Sequence, residues 1–254
     1  MTQIALGAVF ATIVAVLAYR AGSLTFDGAV AAFGVGAIVF GEMGWPGAAV
    51  LFAFFLPSAL LSRFGRARKR ALEIEKPGPR DARQVLANGG VAALCALLYA
   101  RGGAPAAAAF AGAFAAASAD TWGTEIGSLS RHNPVSILTF RSVAPGISGG
   151  ITALGTLATL GGALAVASVA ALAGVAALLP VALAGIAGAL LDSILGASLQ
   201  ELRWCPSCAC HCEMPVHRCG TPTIARRGIR WVGNDVVNLA ATLCGALVAL
   251  LVVR

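Results

Sequence analysis

A chain of 254 residues that is 58% hydrophobic and only 11% charged is not a soluble domain, for which about 25% charged residues is usual. With a mean hydropathy of +0.84, the composition predicts an all-α, polytopic transmembrane helix bundle. The net charge of +7 does not signal nucleic acid, because no basic stripe is interleaved with stacking aromatics.

A helix that crosses the hydrocarbon needs about 20 mostly apolar residues. On that measure about eight spans are expected, near 3–19, 25–41, 46–62, 85–100, 104–119, 148–172, 175–199 and 233–253. No polar stretch between them is long enough to fold apart, so residues 1–254 read as a single integral-membrane domain. The first span lacks a cationic leader and a cleavage site and reads as retained rather than as a signal peptide. The second carries Gly28, Gly34, Gly36 and Gly41 and is expected to be broken or re-entrant. The Ala/Gly runs at 104–117 and 158–179 read as surfaces through which helices approach closely.

Charge then orients the set. Residues 63–84 form a basic loop, and if it is cytoplasmic, eight spans put sixteen of the eighteen Lys and Arg inside, as basic residues gather in cytoplasmic loops. This predicts a multi-pass protein of the cell membrane with both termini outside and a second cytoplasmic loop at 200–232. The first loop either anchors to anionic lipid heads or, through Lys76-Pro77-Gly78-Pro79, turns the chain into Asn88-Gly89-Gly90.

Polar residues inside such a chain are costly and mark function. Asp120-Thr121-Trp122-Gly123-Thr124-Glu125 closes the fifth span. Its two carboxylates would lie about 140° apart on an ideal helix, so the helix is expected to end or bend at Gly123 and aim both at one ligand. Pro145-Gly146-Ile147-Ser148-Gly149-Gly150, preceded by Arg141, is expected to open the sixth span. Its N–H groups beside a helix N-terminus suit a phosphate. No Gly-x-x-x-x-Gly-Lys-Ser/Thr is present, which excludes a soluble-type P-loop kinase. Asp192 is a lone acid near the end of the seventh span, with Gly196 one turn on. Asn234, Asp235 and Asn238 open the eighth with the hard oxygen donors that Mg²⁺ prefers, although Asn234 alone would also serve as an N-cap.

Five of the seven cysteines and two of the three histidines fall between 205 and 219. Cys205, Cys208, His217 and Cys219 offer four ligands of the kind tetrahedral Zn²⁺ uses, with Cys210 and Cys212 in surplus. In a reducing cytoplasm a metal or free thiols are expected before disulfides. Cys95 and Cys244 sit in apolar helices and read as packing.

The ordered set Asp120-Thr121-Trp122-x-Thr124-Glu125-x-Gly127, Pro145-Gly146-x-x-Gly149-Gly150, Cys205/Cys208/His217/Cys219 and Asn234-Asp235-x-x-Asn238 resembles the membrane family called domain of unknown function 92, of the transmembrane protein 19 and phytyl-phosphate kinase-like type. The resemblance spans nearly the whole chain. It implies Mg²⁺-dependent transfer of a phosphoryl group from a nucleoside triphosphate, ATP or CTP, to an isoprenoid (phytyl or prenyl) monophosphate, giving the diphosphate. The positions it carries over are Asn88, Asp120, Glu125, Asp192, Asn234, Asp235 and Asn238. Asp120, Glu125, Asp192 and Asp235 are then expected to hold Mg²⁺. Asn88, Thr121, Thr124, Arg141, Gly146, Gly149, Gly150, Asn234 and Asn238 would contact substrate or nucleotide, and a homodimer is allowed for. Three alternatives stand beside it: a CDP-lipid-forming cytidylyltransferase, an ion or metabolite transporter using the same acids, and a structural scaffold.

Overall fold

A computed structural model describes residues 2–65 and 78–253. Helices dominate: α1 (Thr2–Arg20), α2 (Phe26–Leu61), α3 (Ala82–Gly127), α4 (Ala153–Leu172), α5 (Leu178–Ser198) and α6 (Asn234–Val252). All six are long and apolar enough to cross a membrane.

The expectation of eight separate spans is corrected by α2 and α3. A straight helix of 46 residues, the length of α3, would run about 69 Å, more than twice a hydrocarbon core of about 30 Å. Instead α3 breaks at Gly103 (φ 53°, ψ −138°) and α2 at Gly44 (φ 59°, ψ −147°), dihedrals that a residue with a Cβ adopts only under strain. In each, the helix resumes at once with no intervening loop, and proline follows two residues on, at Pro46 and Pro105. Both helices fold back on themselves. The start and end of α2 meet at Arg80, whose carbonyl accepts from Thr25 N (3.0 Å) and whose Nη2 donates to Ser62 Oγ (3.1 Å). Ser62 in turn donates to Glu125 near the end of α3, whose start is two residues beyond Arg80. The glycines at 28, 34, 36 and 41 do not interrupt the second expected span; the break comes at Gly44.

The second arm of α3 is the centre of the bundle, packed by α2, α4, α5 and α6. From Ala106 to Ala117 every residue is buried. Alanine and glycine there leave room for neighbouring backbones, where dispersion rather than water exclusion holds helices together. The tightest approach is reciprocal: a Cβ on Gly112 would stand 2.5 Å from Gly245 O, and one on Gly245 would stand 2.5 Å from Gly112 O. Phe54 and Phe114 stack with centroids 5.5 Å apart, with Phe110 edge-on to Phe114 at 5.2 Å. On α6 the leucines at 239, 243, 247 and 251 point outward, a lipid-facing stripe, while buried Thr242 donates to Ala87 O of α3 at 3.0 Å.

The two connecting segments are ordered by short strands. β1 (Val135–Ser136) pairs antiparallel with β2 (Gly150–Ile151), Val135 opposite Ile151. β3 (Leu202–Cys205), β4 (Cys210–Cys212) and β5 (Ile224–Arg227) form a sheet in the order β4-β3-β5. The Cys/His-rich stretch is therefore a folded sheet and not a plain loop. The basic loop is described only at its edges, and its expected lipid contacts at 66–77 lie outside the described residues.

Candidate active site at one end of the bundle

The ends of α2, α3 and α5, the start of α6 and both strand-bearing segments enclose a cavity of about 1230 Å³. Asp120, Glu125, Asp192 and Asp235 all line it, as do Asn88, Thr121, Thr124, Gly146, Gly149, Gly150, Asn234 and Asn238. Arg80, Arg83, Arg131, Arg218 and Arg230 add positive charge to the same wall. The opposite end of the bundle holds the Gly44 turn, where Gln3 Nε2 donates to Phe40 O and Gly41 O at 3.3 and 3.2 Å.

Within the cavity the acids divide. Asp120 of α3 and Asp192 of α5 bring their carboxyl groups into contact, and Asp192 Oδ2 is buried with no hydrogen-bond partner among the described residues. Glu125 is elsewhere, accepting from Ser62 Oγ at 2.5 Å. Here a sequence expectation fails: α3 neither ends nor bends at Gly123 but runs on to Gly127. Gly123 serves packing instead, since a Cβ there would stand 2.4 Å from Thr159 Oγ1 of α4. The helix keeps the two acids far apart in angle, and the cavity is wide enough to take both on different walls.

The glycine-rich turn is also placed differently from expectation. α4 begins at Ala153, not near 148, and is capped by Thr152, whose Oγ1 accepts from Gly155 N at 3.0 Å. The turn at 146–150 precedes β2 and packs on α5, where a Cβ on Gly149 (φ 79°) would stand 2.5 Å from Ala197 N. Arg141 is exposed, and its carbonyl accepts from Ser136 N at 2.9 Å. It is not among the residues lining the cavity. Asn234 is the first residue of α6 rather than its cap, which is Gly233.

A carboxylate that sequence reading missed completes the wall. Glu213 follows β4 directly; its Oε1 accepts from Ser148 Oγ and its Oε2 from Gln200 Nε2 at 2.8 Å. Burial pushes its carboxyl above the ordinary glutamate value, and the two hydrogen bonds and the charge of Arg227 pull the other way. Its charge also acts on Asp192. Set between a Cys-rich strand and a proline, it had no spacing signal to betray it. Arg80, which ties three helix ends together, was likewise hidden in a Pro-Gly turn.

Beyond Glu213, the far end of the sheet gathers Cys205, Cys208, His217 and Cys219. Their ligand atoms all lie within 4.8 Å of one another, so the four fit one metal ion. Cys205 Sγ and Cys219 Sγ are 3.6 Å apart, and His217 Nδ1 is 3.2 Å from Cys219 Sγ. Cys210 faces the other nitrogen of His217 at 3.5 Å, and Cys212 is turned to Met214 O. The Cys219 thiol is held down to about 6 by Thr221 and His217. The neighbouring Cys219 sulfur, together with Cys205, drives Cys208 up to about 12. Crowded thiols of this kind gain from a cation that takes them all as thiolates.

Next to the polar cavity lies an apolar groove between α1, both arms of α2 and the first arm of α3. Leu24, Phe55, Arg80, Gln84 and Asn88 line both spaces, so the groove runs into the cavity at a polar threshold.

Sequence comparison now has a structure to attach to. The model of the integral membrane family DUF92 matches residues 9–246. The chain belongs to this family. Protein PGR of Arabidopsis thaliana is 32% identical over 234 residues, covering 78% of this chain and 79% of that protein. An uncharacterized membrane protein of Methanocaldococcus jannaschii, MJ0933, is 29% identical over 242 residues, 94% of this chain and 90% of its own. Protein VTE6, chloroplastic, also from Arabidopsis, is 26% identical over 239 residues, 90% of this chain and 65% of that protein. No solved structure matches. Membership fixes the integral-membrane class of this DUF92 chain; the chemistry rests on its cavity.

Proposed function

We propose that this DUF92 protein is a membrane phosphotransferase that moves the γ-phosphoryl group of a nucleoside triphosphate, ATP or CTP, onto an isoprenoid monophosphate. The observation that carries the reading is the meeting of a charged cavity, with acids and arginines on one wall system, and an apolar groove at Arg80, Gln84 and Asn88. A lipid phosphate has the same two-part character. Its tail would lie in the groove and its head at the threshold.

Phosphoryl transfer is mainly positioning and charge neutralisation. An oxygen of the acceptor monophosphate attacks the γ-phosphorus, the bond to the β–γ bridging oxygen breaks, and the nucleoside diphosphate leaves with that electron pair. The acceptor is already ionised, so no strong general base is required. Mg²⁺ is characteristically held by one or two carboxylates together with substrate phosphates. The Asp120–Asp192 pair fits that number, and the orphaned Asp192 Oδ2 is an oxygen that such an ion would satisfy. Bound there, the ion would neutralise the charge on the triphosphate. Asp235, Asn234 and Asn238 at the head of α6, with the 146–150 turn, would orient the nucleotide, while Glu125 serves the threshold through Ser62. The cavity end carries most of the basic residues, including Arg63, Arg80, Arg83 and Arg131, which favours a cytoplasmic face and hence access to nucleotide.

For the Cys/His cluster the metal of choice is zinc. Tetrahedral Zn²⁺ with Zn–S of about 2.3 Å sets S···S edges of about 3.8 Å, close to the 3.6 Å between Cys205 and Cys219.

The test is an assay of the purified chain with prenyl monophosphates and γ-labelled ATP or CTP. Labelled prenyl diphosphate is the expected product, and Asp120→Asn should lower turnover by about 10²-fold or more, the scale of losing a preorganised electrostatic contact. Wild-type turnover in that variant would refute the reading. Transfer of α-label instead of γ-label would make the protein a nucleotidyl transferase.

A further inference from the structure

Glu213 lines the cavity from outside the membrane helices, as does Glu201, but Glu201 is paired with Arg203. Glu213 lies at the base of the β4-β3-β5 sheet whose tip holds the Cys/His cluster. Cys210 opens β4 and Glu213 is the first residue past its end, about 10 Å on if the chain is extended. At the base, Glu213 is gripped by Ser148 of the glycine-rich turn and by Gln200, the residue after the Leu199 cap of α5. Its charge reaches Asp192. At the tip, Cys205 faces Cys210 across the β3–β4 ladder, and the same ladder sets Arg203 opposite Cys212, the residue before Glu213, so one pair of strands joins the cluster to Glu213.

We propose that Glu213 is a positioning residue through which metal occupancy of the Cys205/Cys208/His217/Cys219 cluster sets the cation affinity of the Asp120–Asp192 pair. It does so in two ways. It adds a third negative charge beside Asp192, and it clamps the 146–150 turn against the end of α5. The inference rests on the reading of the acid pair as a cation site, and the experiment separates the two.

The full chain, purified in detergent, is titrated with Mn²⁺ as the probe, and free Mn²⁺ is followed by electron paramagnetic resonance. Asp192→Asn tests the acid pair alone and should abolish tight binding; unchanged binding there overturns the cation-site reading and this inference with it. Where Asp192→Asn does lose binding, Glu213→Gln should raise the Mn²⁺ dissociation constant about tenfold or more, the usual cost of losing an outer-shell carboxylate. Glu213→Asp should restore most of the affinity. Glutamine keeps the shape of the site, and its amide can still accept from Gln200 while donating to the Ser148 hydroxyl, so a residue with a packing role only would leave Glu213→Gln at wild-type affinity, which refutes the proposal. Removing the cluster metal with a chelator, checked by elemental analysis, should weaken Mn²⁺ binding in the wild type and add little in Glu213→Gln. Equal losses in both proteins, or none in the wild type, would also refute it.

Discussion

Replacing Asp192 with asparagine should stabilise the empty protein while it destroys the cation site. The two carboxyl groups of Asp120 and Asp192 are in contact, and Glu213 adds its charge to Asp192. Two unit charges about 4 Å apart would repel by about 4 kcal/mol at an effective dielectric of about 20, so the hydrogen-bonded pair of the empty protein keeps a proton between its carboxyl groups and folding bears the cost of taking it up. Asparagine removes that cost and supplies an N–H that Asp120 can accept. Part of the repulsion is already relaxed by the surrounding structure, so we expect a gain of about 1–3 kcal/mol. For a chain of this size that is a rise of about 3–10 °C in the unfolding midpoint, read from thermal unfolding in detergent without divalent ions. The same variant should lose the stabilisation that wild type gains on adding Mn²⁺, since a ligand bound only by the folded state raises its stability by mass action. A lower midpoint with Mn²⁺ stabilisation intact would show that Asp192 is a structural partner and not part of a cation site.

Other outcomes follow from the packing and the sheet. Gly112→Val should lower the unfolding midpoint sharply, because its Cβ would stand 2.5 Å from Gly245 O and overpacking costs about 1–3 kcal/mol; the midpoint in matched detergent checks it. Thr242→Val removes the buried hydrogen bond to Ala87 O and should cost about 1–2 kcal/mol, with unchanged divalent-ion binding as the control. Purified protein should carry one zinc per chain by elemental analysis, and Cys208→Ser should lose it and open Cys205, buried at 0% exposure, to alkylation. Bulk introduced into the groove by Gly36→Leu, where a Cβ would already stand 3.2 Å from Ala11 Cβ, should raise KM for long prenyl phosphates more than for short ones while KM for nucleotide stays constant.

What the chain discloses before folding follows from which forces act locally. Hydropathy of a span is a sum over about 20 neighbours, so the helical membrane class was legible, and the gaps expected at 41–46 and 100–104 do bracket Gly44 and Gly103. That the chain continues as helix straight through those gaps was not, because the two-residue spacing from glycine to proline looks the same in a loop and in a hairpin of helices. The intramembrane acids were conspicuous for their cost, and they do line one cavity. Their grouping was hidden: Asp120 and Asp192 are 72 residues apart in sequence and meet only because Gly188 lets α5 lie against Ala116 of α3, where a Cβ would stand 2.4 Å from Ala116 Cβ. The spacing argument for Asp120 and Glu125 was sound about angle and mistaken about consequence, since a cavity that wraps a helix end needs no bend to receive side chains from opposite faces. Cysteine spacing picked out Cys205, Cys208, His217 and Cys219, whose ligand atoms do come within 4.8 Å of one another, because tetrahedral chemistry demands close donors. Glu213 escaped for the opposite reason: its place is set by Ser148 and Gln200, 65 and 13 residues away. A carboxylate defined only by partners so far along the chain becomes visible when the sheet that carries it is folded.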